Sequence, residues 1–411
     1  MNQDIDNLLE AQDLDAILVT GPAQNNPAMV YLTGIAHLTN AYLIKKRSEP
    51  PVLFHAPMER DEARHTGLRT ILLDIPYRDA LLREHPDDLP RAYSLMYQRL
   101  FAEAGLEQGR VAVYGLAEAG SAYAILSALQ KDLPQIEIVG ELGKSVLLSA
   151  METKSSDEIE QIRKIGQTAT TVIGQVAELL NSHSVRQEVL VKPDGSPLTI
   201  GDVKQKIDMW LAGLGAENPE GTIFASGYDA GVPHSSGNAD DPLRLGQTIV
   251  FDFFPRQAGG GYFYDITRTW CLGYATDEAL ALYEDVLHVY QSARGAYLLG
   301  TPYSYFQQLA CELFEARGHP TQRSKPTTTE GYVHSLGHGV GLHVHELPWF
   351  RLNGQEDHRI TPNVVFTVEP GLYYPQRGLG VRLEDTVWAR PDGEFEVLAP
   401  FPLDLVLPMK R

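Results

Sequence analysis

Apolar and polar positions along residues 1–150 follow the two periods of an α/β domain. Ile5, Leu8, Leu9 and Leu14 recur at helical spacing, and Ala16–Val19 is a short continuous apolar run of the kind that forms a buried strand. Tyr42–Ile44 and Val52–Phe54 read as two strands joined across a polar turn carrying Lys45, Lys46, Arg47, Ser48 and two prolines. The spacing predicts a helix over 88–104 ended by Gly105, a strand over Val111–Tyr114, a helix over 121–131 and a strand over Ile136–Val139. That alternation predicts a mixed sheet with helices.

A boundary is expected near residue 150, which divides the chain into domains 1–150 and 151–411. Ser155 and Glu158 fit a capping box that opens a long helix, and Ile159, Ile162 and Ile165 follow at helical spacing toward residue 181. A shorter helix is predicted over 200–212, capped by Thr199 and ended by Gly213. Strands follow over Thr222–Ser226, Thr248–Phe254 and Phe263–Leu272, the last two joined as a hairpin through Pro255–Gly261. The order then repeats: helices over 277–299 and 303–317, strands over 364–369 and 380–389, with Gly371, Pro375 and Gly378 between the strands. Asp252 and Asp265 lie in the first strand pair, Glu369 and Glu384 in the second, at nearly equal offsets. Two pseudo-symmetric halves are therefore expected, with the four acids meeting at the axis.

Between the halves lies Tyr332–Glu346, YVHSLGHGVGLHVHE, which holds four of the thirteen histidines: His334, His338, His343 and His345. Gly337, Gly339 and Gly341 argue against a helix interior and allow the backbone to approach something closely. Imidazoles gathered on such a segment suggest a site, against the plain alternative of a His-rich surface loop.

Composition narrows the partners. The 411 residues carry a formal charge of −19, which disfavours nucleic-acid backbones and anionic membranes. The two cysteines, Cys271 and Cys311, are too few for a disulfide framework, and a reducing cytoplasm is expected. The start of the chain, MNQDIDNLLEAQ, lacks the basic and apolar segments of a signal peptide, and no apolar run reaches the ~20 residues of a membrane span. A soluble protein is expected. Gly143-Lys144-Ser145 resembles a phosphate-binding loop, but Ile138 stands where that motif needs glycine, so a nucleotide site is rejected.

Asp252 sits in Ile249–Phe254 and Glu369 follows Val364–Val368, so both carboxylates have apolar neighbours. Burying them is costly unless they are paired, hydrogen-bonded or metal-bound. Arg268 and Arg382 are available as partners, and strand alternation puts Arg382 on the face of Glu384, where an ion pair could form. For four acids flanking a histidine stretch, a metal site is the better account. The set is hard and oxygen-rich, unlike a Cys/His zinc cage. Two ions bridged by carboxylates and a water would use every member, and would lower the water's pKa enough for hydrolysis at neutral pH.

Asp252, Asp265 in YDITRTW, His338 in SLGHGVGLHVHE, Glu369 in TVEPGLYY and Glu384 in GVRLEDTVW resemble, in type and order, the five metal-ligand positions of the M24 "pita-bread" metallopeptidases. The resemblance covers 154–411. DAILVTGP, MVYLTGI and the AYLI strand make 1–150 similar to the creatinase-type N-terminal domain. It implies an α+β chain: a pseudo-twofold pita-bread catalytic domain (creatinase/aminopeptidase-like) preceded by a smaller α/β domain. The two-domain pairing resembles the Xaa-Pro dipeptidase (prolidase) and aminopeptidase P branch. Creatinase lacks the metal ligands, and their presence here disfavours it.

By position, the resemblance implies that the five residues hold two divalent ions, most readily Mn²⁺, with Co²⁺, Zn²⁺ or Fe²⁺ as alternatives. Asp265 and Glu384 would bridge both ions, and His338 would bind one. Glu369 would also carry the water's proton to the leaving nitrogen, and His345 would steady the tetrahedral intermediate. His234 and His334 would line the substrate pocket, Arg382 would contact substrate or orient Glu384, the glycines would approach metals and peptide, and His343 would be structural. The expected reaction is hydrolysis of the Xaa-Pro bond, first in dipeptides, with aminopeptidase action on longer peptides, another M24 chemistry or a silent binding module as alternatives. A homodimer is expected. One departure stands out: Phe253-Phe254-Pro255 replaces a small turn after Asp252, and the link to Asp265 is longer, which could reshape the pocket.

Overall fold

The computed structural model describes residues 4–354 and 358–409, so the first three residues of the N-terminal segment lie outside it. Two compact units are present: 1–151 with 259–261, and 152–258 with 262–411. The first is built on a six-stranded mixed sheet. At its centre Ala16–Gly21 pairs antiparallel with Ala41–Lys46 and parallel with Gly109–Gly115. The helices Leu89–Glu103 and Ala119–Asp132 match the predicted pattern. A fourth strand, Arg69–Leu72, and the helices Pro27–Thr33 and Ile75–Glu84 escaped it. The Arg69–Leu72 strand is only partly buried and has no clean alternation to read. The rejected Gly143–Ser145 is a helix entry: Leu148 N donates to Ser145 Oγ at 3.2 Å.

The second unit repeats one plan. Its first long helix, Ser156–Ser182, opens with the expected capping box and buries Ile159, Ile162, Ile165, Ala169, Val172, Ile173, Val176 and Leu180 along one stripe. Helix Ile200–Gly213 begins at a second capping box, Thr199 with Asp202. Asp277–Ala296 and Tyr303–Glu315 take the corresponding places in the second half. Each half then supplies an antiparallel strand pair: Thr248–Phe253 with Ile266–Ala275, and Val365–Val368 with Asp385–Ala389.

Three strand boundaries differ from the pattern. The second strand of the first half begins at Ile266, so Asp265 lies just before it. Between the first pair, Arg256–Gln257 makes its own ladder with Ala216–Glu217, so the connection is more than a tight hairpin. The apolar stretch 380–389 is two strands, Leu379–Arg382 and Asp385–Ala389, because Leu379–Arg382 turns away to pair with Gly371–Tyr374. Arg382 and Glu384 therefore stand on opposite sides of a break, and alternation cannot be carried from one to the other.

The halves meet where Thr267 bridges Glu384, and the joint is reciprocal. Thr267 Oγ1 donates to Glu384 Oε2 at 2.7 Å, and Glu384 N donates to Thr267 O at 3.1 Å. Thr386 Oγ1 donates to Asp265 O at 2.7 Å and accepts from Asp265 N at 3.2 Å. Each acid is thus fixed by the threonine two positions after the acid of the opposite half. Arg268, 1 % exposed, locks the joint. It donates to Asp385 Oδ1 (2.9 Å) and to the carbonyls of Thr267 (2.9 Å), Glu384 (2.7 Å), Phe401 (2.7 Å) and Pro402 (2.8 Å). Arg268→Met would leave the Asp385 charge and four carbonyls without this donor. A loss of about 3–5 kcal/mol is expected by denaturant unfolding; a change under about 1 kcal/mol would show that the joint does not depend on Arg268.

Candidate metal centre

Phe251 packs into the core against Phe224 (5.2 Å between ring centroids) and Trp270 (5.6 Å), so strand alternation turns Asp252 the other way. There a cavity of about 750 Å³ opens, lined by Asp252, Asp265, His338, Glu369 and Glu384 among others. All five predicted ligand residues are therefore brought to one place. Ligand atoms of Asp265, His338 and Glu384 lie within 4.8 Å of one another. His338 Nε2 is 3.4 Å from Glu369 Oε1 and 3.7 Å from Asp265 Oδ2. Its Nδ1 faces Gly339 O at 3.0 Å; a carbonyl only accepts, so Nδ1 carries the proton and Nε2 presents a lone pair to the carboxylates.

The electrostatics of this set call for cations. Burial, then the charges of Asp252 and Glu369, push Asp265 well above the ordinary carboxyl value. Burial, then Asp265 and Glu369, do the same to Glu384. Glu369 is pushed up to about 8 by burial, with Arg382 opposing and Asp252 adding to the shift. Burial and the neighbouring His345 lower His338 to about 3, so it is neutral. Asp252 Oδ1 and Asp265 Oδ1 are buried without a hydrogen-bond partner. The residues fit divalent metal: hard donors, orphaned oxygens and a neutral imidazole. Among the described residues Arg382 is the one guanidinium lining the cavity; four ionised acids and Arg382 leave three formal negative charges, which two divalent cations and one hydroxide would balance.

Arg382 pairs with Asp252 rather than with Glu384. Its Nε donates to Thr267 Oγ1 at 3.2 Å, so it reaches Glu384 through that hydroxyl. Its Nη1 donates to Tyr373 Oη (2.6 Å) and to Pro233 O (3.3 Å). The Tyr373 hydroxyl faces His334 Nε2 at 2.9 Å, and His334 Nδ1 faces Ser335 O at 2.7 Å. His334, His234 and His345 all line the cavity. The His345 ring lies 4.3 Å from that of His338 and stacks on Trp349. His343 is not among the lining residues; its backbone N–H donates to Glu346 Oε2 at 3.2 Å.

The packing of the histidine stretch itself requires its glycines. A side chain at Gly337, Gly339 or Gly341 would overlap Thr367 O, Leu347 O or the Glu346 carboxylate. They let the segment pack against its own sheet. Glu346 is in turn held by Lys154 at 2.6 Å, both side chains 1 % exposed. Of the bulky pair after Asp252, Phe253 is buried against Phe251, and only Phe254 reaches the cavity wall. The residues that sequence reasoning missed are Thr267, Thr386, Tyr373, Trp349 and the Lys154–Glu346 pair. Acid-x-Thr occurs in both halves, Asp265-Ile266-Thr267 and Glu384-Asp385-Thr386, and could have flagged the first two.

The signature of metallopeptidase family M24 matches residues 160–391. The chain is 30% identical over 241 residues to a Xaa-Pro dipeptidase of Pyrococcus furiosus, covering 58% of this chain and 61% of that protein. It is 25% identical over 399 residues to a Xaa-Pro dipeptidase of Pyrococcus horikoshii, covering 96% of each. The solved Xaa-Pro dipeptidase of Bacillus anthracis superposes with a TM-score of 0.74 at 20% identity, over 98% of this chain and 99% of that one, which shows a shared fold.

A pH prediction follows from Glu369. Its raised folded value means that the metal-free fold holds a proton which the unfolded chain releases near 4.5, so this contribution to stability is lost as pH rises from 4.5 toward about 8. The melting temperature of chelator-treated protein should fall between ~pH 5 and ~pH 8, and added Mn²⁺ should raise it more at the upper value. An Mn²⁺-induced shift that is equal at both pH values would contradict this reading.

Proposed function

The chain belongs to metallopeptidase family M24, and on that premise we propose that it hydrolyses the Xaa-Pro bond of dipeptides. The observation that carries the reading is the convergence of Asp252, Asp265, His338, Glu369 and Glu384 at one wall of a cavity. The matched relative of nearly equal length, a Xaa-Pro dipeptidase, supports the substrate. These five residues would hold two divalent ions, taken to be Mn²⁺ from the resemblance. When bound, the ions supply Lewis acidity and an acidified water.

The remaining steps fall to side chains. Glu369 takes the proton of the attacking water and delivers it to the departing proline nitrogen, which as a tertiary amide carries no hydrogen of its own. His345 donates to the oxyanion that develops on the scissile carbonyl. His234 and His334 position the peptide, and Arg382 holds Asp252 and, through Thr267, Glu384 in place. Residues 1–150 form the creatinase-type N-terminal domain, and the working form is a cytoplasmic homodimer. Among the described residues no helix is long and apolar enough to cross a membrane.

Protein stripped with chelator, reloaded with Mn²⁺ and offered Ala-Pro and Ala-Pro-Ala should cleave the dipeptide. Cleavage of neither, with metal bound, would refute the reading, and equal release of Ala from both would favour an aminopeptidase. Glu369→Gln should lower kcat by about 10²–10⁴-fold. His338→Ala should lose activity and bound metal together; full activity in that variant would remove it from the ligand set.

A further inference from the structure

The reaction proposed above leaves open what receives the far end of the substrate. A dipeptide carries a free carboxylate close to the scissile bond, and besides the four metal-site acids, whose charge two bound ions would balance, the cavity is lined by Asp208 and Glu220, which repel it. Among the described residues two cations line that cavity, Arg382 and Lys204. Arg382 is 3 % exposed, and its donors go to Asp252, Thr267 Oγ1, Tyr373 Oη and Pro233 O. It has little left to offer.

Lys204 differs. It stands on helix Ile200–Gly213, half-buried, and its ammonium donates to the backbone carbonyl of Ser236. Asp208, one turn further along the same helix, acts on it electrostatically, but no carboxylate among the described residues is in ion-pair contact with it. An ammonium has three donors, so others remain for a ligand. Its distance from the metal ligands is bounded by the sheet. The Ser236 carbonyl that accepts from the Lys204 ammonium also accepts from Phe224 N at 3.4 Å, and Ile223, next to Phe224, sits directly opposite Asp252. Opposed antiparallel Cα atoms are about 5 Å apart, so this chain of contacts keeps the ammonium within at most about 13 Å of the Asp252 Cα. Beyond the scissile carbonyl only the prolyl residue remains, about 3.5 Å of chain, so its carboxylate falls within that bound, whereas each further residue would carry the terminus about 3.5 Å farther on.

We propose that Lys204 recognises the free C-terminal carboxylate of the substrate and thereby sets the preference for dipeptides. This rests on the Xaa-Pro dipeptidase reading, and the experiment separates the two. Ala-Pro and Ala-Pro-amide present the same scissile bond and differ in the terminal charge. The wild-type Mn²⁺ enzyme should favour Ala-Pro in kcat/KM by about tenfold or more, the scale of one charge-assisted contact. Lys204→Met should lower kcat/KM for Ala-Pro by about that factor, through KM, while leaving the amide within about twofold; Lys204→Arg should retain most of the preference. A preference for Ala-Pro that survives in Lys204→Met, or an equal loss on both substrates, would overturn the assignment. Should neither ligand be turned over, the dipeptidase reading falls, and calorimetric titration of the Mn²⁺-loaded protein decides the lysine. Tighter binding of Ala-Pro than of its amide, abolished in Lys204→Met, sustains it; equal binding of the two overturns it.

Discussion

Placing Asp265, Glu369 and Glu384 together in a buried wall is the constraint on which this structure turns. Two unit charges about 4 Å apart repel by about 4 kcal/mol at an effective dielectric constant of about 20, and three or four such groups cannot all ionise unaided. The protein does little to cancel this charge. Among the described acids Arg382 is in ion-pair contact with Asp252 alone, and Arg268, equally buried, is spent on Asp385 and backbone carbonyls at the joint. Threonine hydroxyls orient Asp265, Glu384 and Glu369 without neutralising them. The fold thus preserves a concentrated negative site, an arrangement that stabilises little by itself and is suited to cations.

The internal repeat explains how two separate sheets hold that site to fixed geometry. Each half contributes one acid at or just after the end of its first strand and one just before its second, and the threonine that follows the second acid reaches across to the other half. Neither half is complete alone. The histidine stretch adds His338 from between them, fixed by Thr367 Oγ1 on its backbone N–H at 3.1 Å and by glycines that allow close packing. The same stretch continues along the cavity wall to His345, beside the buried Lys154–Glu346 pair.

Much of this was legible in the chain. Capped helices with regular apolar stripes announce themselves, because caps and periodicity are local: the Ser155–Glu158 capping box and the Thr199 cap both fall where the sequence places them. Five ligand-type residues in order led to one cavity. What failed were features decided by tertiary pairing. The strand 380–389 reads as one apolar run, yet its two ends choose different partners, and no local signal marks the break at Leu383-Glu384. For the same reason Arg382 was matched to Glu384 by alternation when it reaches Asp252 from another strand. Lys154 and Glu346, far apart in sequence, gave no hint of their pairing. The glycines signal close approach, and the fold alone shows that Thr367 O, Leu347 O and the Glu346 carboxylate lie against them.

The central claim is that the four acids and His338 form one site for two ions. Elemental analysis of the metal-loaded protein measures it directly. The account predicts two equivalents of Mn²⁺ per chain in the wild type, falling to one or fewer in Asp265→Asn, with that variant still folded by circular dichroism. A single equivalent in the wild type, or two retained when Asp265 is replaced, would contradict it.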